Sequence, residues 1–161
     1  MDSAIVNCLE DNWDGTLGTV PPDAMSEAAA RAASEYPNKR LIVHYMQPHY
    51  PVIGEKGEAF DHRGIGETPT DIEPDTHDVW TLLRRGTVDQ TAVWEAYAEN
   101  LDLVLDSVTS LLPELDGRTV VTSDHGNLVG DRLSPIPTRG FGHPRGLHVP
   151  ELVTVPWLLI E

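Results

Sequence analysis

The sequence predicts an α/β fold, a three-layer α/β/α sandwich on a mainly parallel sheet. Three observations lead there. Segments with helical character alternate along the chain with short apolar, β-branched runs. Those runs are nearly continuous in apolar residues, as strands covered on both faces are. Long glycine- and proline-rich loops follow their carboxyl ends, where ligands of such sheets lie.

Residues 1–21 carry turn formers (Asp11, Asn12, Asp14, Gly15, Gly18) and little periodicity, so they read as an irregular N-terminal segment. Pro22-Asp23-Ala24 opens an alanine-rich helix that runs to about Tyr36, where Pro37-Asn38 stops it. Residues 40–46 read as a buried strand, with His44 a core histidine. Residues 47–87 show no sustained period, and a loop of that length suits an active-site or lid segment. Within it, His62 and His77 beside Asp61, Asp75 and Asp78 read as solvated.

Val93, Trp94, Tyr97, Leu101, Val104, Leu105, Val108 and Leu112 recur at three- and four-residue steps and predict a helix over 88–112. Trp94 and Tyr97 fall on its core side, while Trp13 and Trp80 suit either a pocket wall or a packed loop. Asp116-Gly117 turns the chain into a second strand over 118–123. A third follows a further loop, over 152–160, with Pro156 marking an edge or a bend.

Composition narrows the function. The 161 residues make one domain, and a domain of that size buries roughly 70% of its unfolded surface. Cys8 is the single cysteine, which excludes an intrachain disulfide and a cysteine-rich zinc site. No apolar run approaches the ~18 residues of a membrane span. The start Met1-Asp2-Ser3-Ala4 lacks a basic or apolar leader pattern, so a cytoplasmic location is expected. Against 26 acids stand 11 bases, a formal charge of -15. Such a surface opposes nucleic acid and anionic membrane, and suits a protein working in strong salt, where screening removes self-repulsion. An anionic substrate would need a local cation here.

Three clusters can carry chemistry. Thr122-Ser123-Asp124-His125-Gly126 closes an apolar strand with an adjacent carboxylate and imidazole. The pair suits one divalent metal or two neighbouring ones, or else is an aspartate cap beside a surface histidine. Gly142-His143-Pro144-Arg145-Gly146-Leu147-His148 offers two loop histidines and an arginine able to grip a phosphate or sulfate oxygen, or to form an ordinary surface ion pair. In Gln47-Pro48-His49-Tyr50-Pro51, prolines on both sides pre-position His49 as a donor or acid, or build a structural turn.

These motifs, in this order, resemble the alkaline-phosphatase superfamily, and its sulfatases in particular. Val120-Val121-Thr122-Ser123-Asp124-His125-Gly126 looks like its strand and Asp-His-Gly signature. The Gly142-His143 pair ahead of Val155-Pro156, and the Pro-His-x-Pro of His49, match further segments. The resemblance covers roughly residues 37–161 and is weakest over 52–88. It implies that Asp124 and His125 ligate a divalent metal (Ca, Mg, Mn or Zn), and that His49 and His143 are catalytic. It also implies that His148 and Arg145 bind substrate, and that the chemistry is transfer or hydrolysis of sulfate or phosphate esters.

The nucleophile is where the resemblance stops. Cys8 is followed by Leu9-Glu10-Asp11-Asn12, not by the sulfatase Cys-x-Pro-x-Arg, and no early strand carries a metal-binding aspartate. The expectation is a single partial sulfatase-like domain over 1–161, lacking its N-terminal part and inactive alone. A missing N-terminal half or an oligomer partner would complete it. The alternative is a degenerate, non-catalytic domain that binds metal, anion or a partner chain, or a plain acidic interaction protein without metal.

Overall fold

The computed structural model describes residues 4–60, 78–135 and 137–161. His62 and His77, with Asp61 and Asp75, lie outside them. Five α-helices are described: α1 (Cys8–Asp11), α2 (Pro22–Glu35), α3 (Val79–Arg85), α4 (Gln90–Leu111) and α5 (Pro150–Val153), with two short 3-10 turns at Glu55–Ala59 and Leu112–Glu114. Four short strands accompany them: β1 (Thr119–Thr122), β2 (Leu128–Arg132), β3 (Arg139–Gly142) and β4 (Trp157–Ile160).

The helices start where side-chain acceptors meet free backbone donors. Asp89 accepts from the backbone N–H groups of Thr91 and Ala92 at the head of α4, a cap that stabilises by about 1 kcal/mol. Asp78 does the same for Thr81 at the head of α3. Gly86, at φ 71°, ends α3 in the left-handed region that glycine enters at no steric cost. Pro22 occupies the first turn of α2, where its missing N–H is not needed.

α2 and α4 pack together through a polar contact in an otherwise small-residue seam. The hydroxyl oxygens of Ser26 and Ser107 lie 2.8 Å apart, and Tyr45 Oη sits 2.7 Å from Ser26. The main apolar core gathers Val79, Trp80 and Leu83 of α3, Val93 of α4 and Val129 of β2, flanked by Tyr50, Phe60, Tyr97 and Phe141. A smaller cluster joins Cys8, Val20 and Ala28.

The expected three-layer sandwich with a parallel sheet is not what forms. Among the described residues there are two sheets, each of two antiparallel strands: β1 with β4, and β2 with β3. Residues 40–46 form no regular element and pair with no described strand, and Ile42 is 93% exposed, so the expected buried strand is absent. His44, read as a core histidine, is exposed with it. The physical reason is that an apolar β-branched run becomes a strand only against a partner, and the neighbour of β1 is β4. The alternation of helix and apolar run therefore does not produce βαβ units. The expected loop over 124–150 contains the β2–β3 hairpin, and the expected loop over 47–87 contains α3. Within 152–160, α5 ends first and β4 begins only after Pro156. Trp80 packs in the core, while Trp94 is 55% exposed rather than buried.

One contact ties the fold to its loops. Asn100, fully buried on α4, donates from Nδ2 to the carbonyls of His49 (3.1 Å) and Pro51 (3.3 Å) and accepts from Ile53 N–H (3.2 Å). Replacing it with leucine strands three backbone groups. Asn100→Leu is expected to lose about 2–4 kcal/mol of stability, read from urea unfolding. A loss below ~0.5 kcal/mol would show that these bonds contribute little.

Candidate functional site

Three segments far apart in sequence meet at one rim. The loop held by Asn100 supplies His49. Gln47, buried just before it, donates to Val20 O at 3.2 Å and fixes the loop's other end. The segment after β1 supplies Asp124 and His125, and the end of β3 supplies His143. His143 stands in the middle: its ring centroid is 4.4 Å from that of His125 and 5.6 Å from that of His49. Asp124 Oδ2 lies 3.8 Å from His125 Nε2.

Adjacent residues on a regular strand point to opposite faces. Here β1 stops at Thr122, so Asp124 and His125 are free of the pleat. Asp124 Oδ1 accepts from His125 N–H at 2.9 Å, curling the pair toward one side. Gly126 lets this turn press against α5: its N–H donates to Leu152 O at 2.9 Å, and a Cβ there would run into the Glu151 carbonyl oxygen.

Each imidazole is held by its Nδ1. That of His49 meets Tyr50 O at 2.7 Å, that of His125 meets Gly126 O at 2.9 Å, and that of His143 meets Asn127 Oδ1 at 2.9 Å. A carbonyl oxygen only accepts, so a neutral ring beside it carries its proton on Nδ1 and keeps a bare lone pair on Nε2. This is the arrangement by which histidine ligands of metals are oriented. Burial among the other rings lowers the pKa of His143, and the positive charges that His125 and His49 can carry lower it further; Asp124 pulls it up more weakly.

Two donors of one ion, each about 2.1 Å from it, stand roughly 3–3.5 Å apart at tetrahedral to octahedral angles. The 3.8 Å between Asp124 Oδ2 and His125 Nε2 is slightly longer than that. Asp124 is 70% exposed in its side chain, so the approach is open. Among the described residues no group of three His, Cys, Asp or Glu side chains is arranged to hold an ion.

The structure thus brings together four of the six candidates. Arg145 and His148 lie exposed on the segment after β3 and make no side-chain hydrogen bond among the described residues. Asn127 and Tyr97 were not foreseen as site residues: Asn127 Nδ2 donates to Tyr97 Oη at 3.2 Å while its Oδ1 holds His143. The position of Asn127 directly after the Asp-His-Gly turn was the available signal. No helix among the described residues is long and apolar enough to cross a membrane. Comparison with protein-family models, curated proteins and solved structures finds no match.

Two outcomes follow from this geometry. Gly126→Ala is expected to cost about 1–3 kcal/mol in denaturant unfolding, because the new methyl must push the Asp124–His125 turn off α5. The second concerns pH. The folded chain holds His143 below its ordinary 6.5, so the unfolded chain takes up that proton first. The contribution is complete above the unfolded value and is lost as pH falls through the folded one. Melting temperature should drop on acidification through the histidine range, and His143→Gln should remove part of that drop. An unchanged slope would contradict the shift.

Proposed function

We propose that Asp124 and His125 hold a divalent metal, and that His143 and His49 face a sulfate or phosphate ester group brought to it. On this reading the chain carries the metal-binding part of an ester hydrolase or transferase. One observation carries it: the meeting of Asp124, His125, His143 and His49 from three separate segments, each ring held by Nδ1 with Nε2 left over. The order of motifs along the chain, similar to that of sulfatases, supports the substrate class.

The chemistry of the site favours a cation first. Neutral imidazoles offering lone pairs repel an anion's oxygens and attract a metal, and the charge of -15 adds to that preference. A bound metal supplies a Lewis acid that offsets charge on an ester oxygen. The chain's own residues then divide the remaining work. The lowered pKa of His143 favours its neutral form, in which Nε2 is available as a proton acceptor. His49, when protonated, donates from Nε2 to an oxygen of the group being transferred.

The test is metal titration by calorimetry in high salt, with Mn2+, Mg2+, Ca2+ and Zn2+ in turn. Asp124→Ala is expected to weaken binding of the preferred ion about 10- to 100-fold or more. Orthophosphate or sulfate is expected to bind only after metal is present. Metal uptake unaffected by Asp124→Ala would overturn the assignment. Metal binding that leaves both anions unbound would reduce the proposal to a non-catalytic metal-binding domain.

A further inference from the structure

The three anchors of the histidine cluster are not equivalent. His49 and His125 point Nδ1 at backbone carbonyls, which can only accept. His143 points Nδ1 at a side-chain amide, which has an accepting end and a donating end. Rotating that amide by half a turn would place Nδ2 against His143, and an N–H there demands a bare Nδ1. The proton would then sit on Nε2, aimed into the cluster. The orientation of one amide therefore decides whether His143 shows the site a lone pair or an N–H.

The geometry points to Asn127 as the positioning residue that sets the tautomer of His143, with Tyr97 holding the amide. Nδ2 of Asn127 donates to Tyr97 Oη at 3.2 Å, and Oδ1 lies 2.9 Å from His143 Nδ1, where it accepts that ring's proton. Tyr97 is itself fixed: its ring stacks on Trp94 at 6.1 Å between centroids and lies 6.3 Å from that of Trp80 in the core. Core packing of α3 and α4 thus reaches the site through a tyrosine and an amide. The inference rests on the proposed function in one respect: a cation beside His125 requires the lone pair, not the N–H, of His143.

Nitrogen-15 NMR of the imidazoles distinguishes the two tautomers directly. The full chain is measured without metal, at a pH where all three rings are neutral. The expected wild-type spectrum has His143 protonated on Nδ1. In Asn127→Leu its tautomer shifts toward Nε2–H, the form an unrestrained imidazole prefers, while His49 and His125 keep Nδ1–H. Asn127→Asp, an acceptor only, restores Nδ1–H at His143. Tyr97→Phe keeps the ring packing but frees the amide, and should give a mixture at His143 even if the leucine variant fails to fold. Wild-type His143 protonated on Nε2, or a tautomer unchanged in both Asn127→Leu and Tyr97→Phe, would overturn the inference. A Mn2+ titration on the same samples separates the two readings. Correct tautomers without metal uptake refute the metal site alone, and metal uptake with the wrong tautomer refutes the role of Asn127.

Discussion

A buried amide on α4 is the constraint that the site depends on. Asn100 meets the backbone of the His49–Ile53 segment at three points, so this segment has its polar groups satisfied against a rigid helix rather than against water. Inside the protein such bonds are costly to leave unmade, which is why one side chain can hold a whole loop. Without it, His49 would be a residue on a surface turn, and its 5.6 Å approach to His143 would have nothing to enforce it. The second constraint is the contact of Gly126 with α5, which does for His125 what Asn100 does for His49.

The electrostatics run in one direction. His143 is in ring contact with both His125 and His49, and burial together with the charge those two rings can carry lowers its pKa. The lowered pKa favours neutral His143, which presents a lone pair near an exposed carboxylate. That combination, in a chain of charge -15, is a better receptor for a cation than for an anion.

Legibility in the sequence followed the range of the interactions. Helices α2 and α4 lay within two residues of their expected bounds, because proline, aspartate caps and three- to four-residue periodicity act locally. The buried face of α4 was misjudged by rotation. It carries Val93, Ala96, Asn100, Val104, Ser107 and Leu111, and an asparagine and a serine in that row do not look like a core. Polar residues at core spacing were the readable clue to the Ser26–Ser107 contact and to the Asn100 clamp. The sheet was misread for another reason: which apolar runs pair is decided by non-local contacts, and residues 40–46 find no partner in the described chain. Motif order picks out His49, Asp124, His125 and His143 along the chain, and the fold brings these four near one another. The hydrogen bonds that orient them were not legible, since they depend on side chains brought together only by folding.

The most direct measurement is anomalous diffraction from crystals of the chain grown with manganese. The account predicts a peak about 2.1–2.2 Å from both Asp124 Oδ2 and His125 Nε2, with the Nε2 of His143 turned toward it. A peak ligated elsewhere, or Asp124 and His125 turned away from each other with manganese bound at neither, would contradict it.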